Sequence, residues 1–342
     1  MTIEQIKDKL KSKEYDFLRT DKNLGNNIII LTLGGSHAYG TNNEGSDLDI
    51  RGCALNSKMQ ILTNENFEQF VNNETDTTIY AFNKLVALLS NTNPNTIEML
   101  GNKPEHYFYV SPIGQELIDN AHLFLSKRAC HSFGGYANQQ LYRLNQKAAH
   151  KMSQSELEKH ILKTLEFMQT DFTKKYTPYS DDSMKLYIDK AVQEGYDTEI
   201  FMDVNLTHYP LRDYCSMWNE LQNTVRQYGK IGKRNEKAIE HGKIAKHSMH
   251  LIRLYMMCLD ILEKERIITY RGDEHDLLMD IRNGKYLDSN DQPIPEFFEM
   301  VNDYEKRLDY AKKNTNLPDN PDYKKISEFV ASVNERVVKG EI

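Results

Sequence analysis

Residues 27–53 limit what this chain can fold into more than any other stretch. Asn27 to Leu33 (NIIILTL) is short and rich in β-branched residues, the composition of a buried strand. Gly34-Gly35 stops it, and Ser36 to Gly40 can open a helix with Ser36 near its N-terminus. A strand, two glycines and a serine at a helix start form an anion-binding corner. Glycine lets the backbone approach a phosphate closely, and helix N-terminal amides and the serine hydroxyl donate to it. Glycine-serine turns are common, so the corner needs company.

That company follows a polar turn, Thr41 to Ser46. Asp47 to Cys53 (DLDIRGC) alternates polar and apolar residues. As a strand it puts Asp47, Asp49 and Arg51 on one face and Leu48 and Ile50 on the other. Two carboxylates at i, i+2 on one face repel unless a cation or solvent separates them. Hard divalent cations take oxygen ligands and bridge substrate phosphates, so a metal beside the phosphate corner is one reading. An edge strand with ordinary solvated acids is the other. Leu48, Ile50 and Cys53 suit a strand buried on one face, and with the adjoining corner they favour the metal.

Residues 34–52, Gly-Gly-Ser-His-Ala-Tyr-Gly-Thr through Ser-Asp-Leu-Asp-Ile-Arg-Gly, resemble the signature of the DNA polymerase β superfamily of nucleotidyltransferases. That signature is a Gly-Ser, a small residue and a glycine, then Ser-Asp-x-Asp; the eleven-residue step from Ser36 to Asp47 fits its compact bacterial members. Tyr80 to Gly101, with Asn93-Pro94-Asn95 and Ile97-Glu98-Met99-Leu100, is similar to one branch, predicted nucleotidyltransferases related to the RNA-repair-pathway polymerase β family. So are residues 131–137 (HSFGGYA) and 246–254 (KHSMHLIRL), and the resemblance runs over about residues 28–285.

The resemblance implies that Asp47 and Asp49 hold divalent metal, Mg²⁺ or Mn²⁺, and that Gly35 and Ser36 hold the triphosphate of an NTP. It also implies a third metal-binding carboxylate from a neighbouring strand. Asp76, just ahead of a strand at 77–82, stands where the family places that acid; Glu74 has the same parity and competes. His37 departs from the pattern, because many compact members carry Arg there. The implied chemistry is a two-metal displacement that moves a nucleoside monophosphate from the NTP to a hydroxyl and releases pyrophosphate.

The first third reads as strand, helix, strand, strand, helix, with a charged helix over 4–18, a strand over 75–80 and helices over 81–89 and 111–124. Beyond Lys127 the pattern is helical at 131–150, 155–176, 181–194, 211–228, 237–264, 273–283, 293–313 and 323–339. A break at 195–210 carries a short strand, Glu199 to Val204. The expectation is an α+β protein: a polymerase-β-like nucleotidyltransferase domain at 1–125, a mixed sheet flanked by helices, then a mostly helical substrate- or nucleotide-binding domain at 126–342. Trp218 is assigned to core, and Tyr136 to core in preference to base stacking.

Charge bears on the partner. The net charge of −7 argues against indiscriminate nucleic-acid binding, yet Arg226 to Arg253 holds eight Lys/Arg against Glu236 and Glu240, a local +6. Within it Lys243, Lys246, His247, His250 and Arg253 fall in a helical sector of about 120°. Such a stripe predicts Lys243, Lys246, His250 and Arg253 on the phosphates of nucleotide or acceptor; a solvated helix face is the plain alternative. His247 and His250 lack a nearby acid or cysteine to complete a transition-metal site.

RNA is the first acceptor, because the related branch is associated with RNA repair and a basic segment suits a polyanion. Protein nucleotidylylation and an inactive nucleotide-binding sensor are the alternatives. No apolar run approaches the roughly 20 residues of a membrane span, and Met1 to Leu10 is unlike a signal peptide. Cys53, Cys130, Cys215 and Cys258 stand far apart without CxxC spacing. The chain reads as cytoplasmic, with reduced and mostly buried thiols.

Overall fold

The first strand, β1 (Ile28–Leu33), is buried along its whole length because both faces of its sheet are covered. The computed structural model describes residues 1–134, 137, 159, 162–163, 165–166, 168–170, 172, 176, 183–190, 192, 198–231, 243–289 and 293–342. With β2 (Ile50–Ala54), β3 (Gln69–Asn72), β4 (Thr77–Ala81) and β5 (Tyr107–Val110), β1 forms a five-stranded sheet in the order β3-β4-β2-β1-β5. β1 is antiparallel to β2 and β5, β2 is parallel to β4, and β3 is antiparallel to β4, so the sheet is mixed.

Two clusters cover the faces. Ile30 and Cys53 join Leu85 and Leu89 of α5 (Phe82–Ser90) and Leu117 of α7 (Pro112–Asp119). Leu254, Met257 and Ile261 of α9 (Lys243–Lys264) and Val333 of α12 (Tyr323–Lys339) complete that side. On the other, Ile28, Leu31, Ile50 and Ile79 meet Ile6 and Leu10 of α1 (Ile3–Leu10) and Leu18 of α2 (Phe17–Thr20). Each such aliphatic side chain contributes about 1.5–3 kcal/mol on burial.

The expected helix over 4–18 is broken. α1 opens on a Thr2–Gln5 capping box, but the Arg19 guanidinium takes the carbonyls of Leu10, Lys11 and Ser12, and the chain turns there. The expected helix over 181–194 is a strand where it is described: β6 (Met184–Lys190) pairs antiparallel with β7 (Thr198–Val204). Met184 and Leu186 are buried and Lys185 is exposed, a period of two that outweighs the helix-forming composition. The edge strands β3 and β5 are short and partly exposed, and the sequence pattern does not reveal them.

By its contacts the chain divides into residues 1–143 with 242–342, and residues 144–241. A boundary at 125/126 therefore differs from the contact division: α9 and α12 bury their apolar faces in the same cluster as α5 and α7. Helical periodicity marks an apolar face but not the core it enters. In the smaller unit, the β6–β7 hairpin and α8 (Leu211–Ile231) gather Met184, Leu186, Met217 and Leu221 with Leu165 and Phe172. Trp218 is not core there: it is 41% exposed and stacks on Tyr214. Cys53 and Cys258 are buried, Cys130 is half-buried and Cys215 is exposed. Among the described residues no helix is long and apolar enough to cross a membrane.

Candidate active site

Strand direction assembles the site. β1 ends beside the start of β2, with Leu33 opposite Ile50, and Gly34 N donates to Asp49 O at 2.9 Å. β4 runs parallel to β2 with Thr77 opposite Ile50, so Asp76 enters next to Asp49. Gly34-Gly35-Ser36, Asp49 and Asp76 thus leave three adjacent strands at one edge. α3 (Gly35–Tyr39) begins at that edge and ends at Gly40 in the left-handed region.

Both glycines are demanded by what lies on them. Gly35 has φ +56°, and a Cβ there would stand 1.8 Å from Asp49 Oδ2; a Cβ on Gly34 would stand 2.7 Å from Arg51 Cγ. Gly35→Ala is therefore expected to displace the Asp49 carboxylate and to add left-handed strain of about 1–2 kcal/mol. A lowered thermal midpoint together with lost transfer activity would show it; native behaviour in both would refute the contact.

Asp47 is exposed, Leu48 buried, Asp49 half-buried and Ile50 buried, the expected alternation, although Asp47 and Asp49 lie in the extended lead-in to β2. Burial pushes the Asp49 carboxyl up to about 6, Arg51 opposes the rise, and the adjacent Asp76 adds to it. Asp76, at φ +48°, is the acid beside Asp49, while Glu74 is exposed on a turn closed by Asn72. Among the described residues no three Asp, Glu, His or Cys side chains stand close enough to hold one metal ion. A guanidinium lies there instead: Arg51 Nη2 donates to Asp49 Oδ1 at 2.9 Å and stands 3.8 Å from Asp76 Oδ1.

The basic stripe on α9 splits in two. Lys246 is exposed, and its charge reaches Asp49, whose pKa it pulls down. Arg253, expected on phosphate, is only 4% exposed. Its Nη1 stands 3.3 Å from Glu98 Oε2 and its Cζ lies 3.7 Å over the Tyr39 ring. Tyr39 OH donates to the same carboxylate, 2.9 and 2.8 Å from its two oxygens. A cationic face can thus arise because a buried carboxylate needs a partner. The side chain of Lys243, those of Arg226 and Lys230, and all of Lys233, Arg234 and Lys237 lie outside the described residues, as does Tyr136.

His250 is also not a cation of the stripe. Burial, then the charges of Arg253, Lys246, His247 and Arg282, hold its pKa well below the ordinary value. Because the folded value is depressed, the unfolded chain takes the proton first as pH falls below about 6.5. This contribution to stability is full above that pH and is lost below it. From pH 7.5 to 5.5 the wild type should lose more thermal stability than His250→Gln; parallel pH profiles would contradict the assignment. The rise at Asp49 acts with the opposite sign in both proteins and drops out of the comparison.

Sequence reasoning passed over Glu98, Arg51 and Arg282. Arg282, in α10 (His275–Arg282), donates to Thr41 O at 2.5 Å and Ser46 Oγ at 3.0 Å, tying down the turn that leads to Asp47. His37 is buried and bonds the Ser46 backbone, with its pKa lowered chiefly by burial, so it braces that turn too. A charged residue inside the apolar run Ile97–Leu100 was the available signal for Glu98.

Compared with models of known protein families, residues 10–332 match the RNA repair pathway DNA polymerase beta family. The chain belongs to that family. No curated protein and no solved structure matches it. Membership in the RNA repair pathway DNA polymerase beta family makes the chain a polymerase-β-type nucleotidyltransferase of α+β architecture, and the match spans both units.

Proposed function

We propose that this protein is a metal-dependent nucleotidyltransferase that moves a nucleoside monophosphate from an NTP to a hydroxyl of RNA, releasing pyrophosphate, and that it works in the cytoplasm. The observation that carries the reading is the shared sheet edge: Asp49 and Asp76 side by side where β1 delivers Gly35-Ser36. The donors are hard oxygens, and two half-exposed to half-buried carboxyl groups in mutual repulsion suit a small divalent cation. Asp49 and Asp76 would hold Mg²⁺ or Mn²⁺ together with substrate phosphate, Asp47 joining them once the ion draws its carboxylate in, and the ion would supply neutralisation of the triphosphate and a lowered pKa for the attacking hydroxyl.

The chain's own groups do the rest. The Gly35 backbone and Ser36 hydroxyl, both partly exposed, hold phosphate oxygens. Lys246 approaches the triphosphate from α9, the contribution of the helical part of the chain to nucleotide binding. Asp76, more exposed than Asp49, accepts the proton of the acceptor hydroxyl. Catalysis then rests on positioning and electrostatics, as in phosphoryl transfer generally. RNA is favoured as acceptor by the family's RNA-repair association and by the basic segment 226–246.

Incubation with α-labelled NTPs and Mg²⁺, with and without RNA, tests the reading. Label on RNA is the expected result. Label on protein alone would replace RNA with a protein acceptor, and binding without transfer would make the chain a nucleotide sensor.

A further inference from the structure

We propose that Arg51 is the resident counter-ion of the carboxylate site, holding Asp49 and Asp76 together in the metal-free protein and yielding Asp49 Oδ1 when a divalent ion binds. This rests on the reading that Asp49 is a metal ligand, and concerns what stands against the metal there.

The guanidinium has four contacts. Nη2 donates to Asp49 Oδ1 at 2.9 Å and stands 3.8 Å from Asp76 Oδ1; Nη1 donates to Asp76 O at 2.7 Å and Ile50 O at 3.1 Å. The pair is sheltered, with Arg51 and Asp49 side chains 20% and 19% exposed. Gly34 makes this possible, since a side chain there would collide with the arginine stem. Arginine stays protonated at any working pH, so its charge is a permanent part of the site.

Without that charge, two adjacent carboxylates with little solvent between them repel. With it, a divalent ion on Asp49 Oδ1 meets a positive group already bonded to the same oxygen. The two cations therefore compete for Asp49. The carbonyls of Asp76 and Ile50 do not take part in that exchange, so Arg51 pivots on them and remains in the site. Arg51 is thus a positioning residue that sets the threshold for metal entry.

Mn²⁺ binding, read from the electron-paramagnetic-resonance signal of free Mn²⁺, separates the possibilities. Arg51→Gln keeps a donor for the carbonyls and removes the charge. It should bind Mn²⁺ about five- to tenfold more tightly than wild type. Its metal-free form should melt about 2–4 °C lower, and saturating Mn²⁺ should restore the loss. Arg51→Lys keeps the charge and should retain wild-type affinity. In wild-type protein with ¹⁵N-labelled arginine, the guanidinium resonance of Arg51 should move on addition of Mg²⁺, a readout that needs no variant to fold.

Equal or weaker Mn²⁺ binding by Arg51→Gln, or a resonance indifferent to Mg²⁺, overturns the role of Arg51. If Arg51→Gln gives that result while wild type binds Mn²⁺ and Asp49→Asn does not, the metal reading stands and this proposal falls. If neither wild type nor Arg51→Gln takes up Mn²⁺ at millimolar concentration, the metal reading fails and carries the proposal with it.

Discussion

Asp49→Asn is expected to cut nucleotidyl transfer by about 10³-fold or more while leaving the fold intact. The substitution is isosteric, so the carboxamide fits over Gly35, where no side chain leaves room for anything larger. Burial already disfavours the charged form of Asp49, raising its pKa to about 6, so a neutral group costs little in folding. What is lost is a charged oxygen at the sheet edge, and stabilisation of developing phosphate charge by a held cation amounts to several kcal/mol. Single-turnover transfer with Mg²⁺, beside a thermal melt of the same preparation, provides the measurement. Near-native turnover in Asp49→Asn would remove the metal reading outright. Unfolding would instead mean that the Arg51 ion pair is needed for the fold.

Arg253→Met is expected to destabilise the protein by about 3–5 kcal/mol, the usual consequence of stripping one partner from a buried ion pair. Glu98 and Arg253 are 5% and 4% exposed, and among the described residues Tyr39 OH is the other side-chain donor to that carboxylate. Burial holds the Glu98 pKa above its ordinary value, and Arg253 is the largest influence opposing the rise. Without Arg253 the rise is larger, opposed by the Tyr39 hydroxyl and the charge of Arg51 alone, and the variant should regain stability as the pH is lowered and Glu98 protonates. The double variant Glu98→Gln/Arg253→Met, with no buried charge, should recover most of the loss. Chemical denaturation of the three proteins across pH decides it. A single variant that stays stable but binds NTP poorly would return Arg253 to the role that its place on the basic stripe suggests.

The elements legible in the sequence are those whose physical cause is local. β1 follows from its β-branched run, α3 from the glycines and serine that start it, and the alternation over 47–53 from a strand lead-in with one buried face. The family resemblance in 34–52 rests on the same residues, and the family match over 10–332 agrees with it. A period of 3.6 along α9 likewise located a helix, and the charge of Lys246 on it acts on Asp49.

Other features depend on what the rest of the chain brings up to a residue, and only the tertiary structure decides them. Asp76 and Glu74 share a parity, and the parallel register of β2 and β4 sets Asp76 beside Asp49. Lys246 and Arg253 share a helix face, but Tyr39 and Glu98 cover its second half, so one lysine stays in solvent while the arginine becomes core. Arg51 looked like the third polar residue of an alternating strand until the strand order put two carboxyl groups within its reach. The sequence by itself determined which segments are strand or helix at the site and which residue types stand there. The fold decided which charges meet and which are buried, because a charge's state is set by neighbours that can lie 155 residues away, as Glu98 does from Arg253.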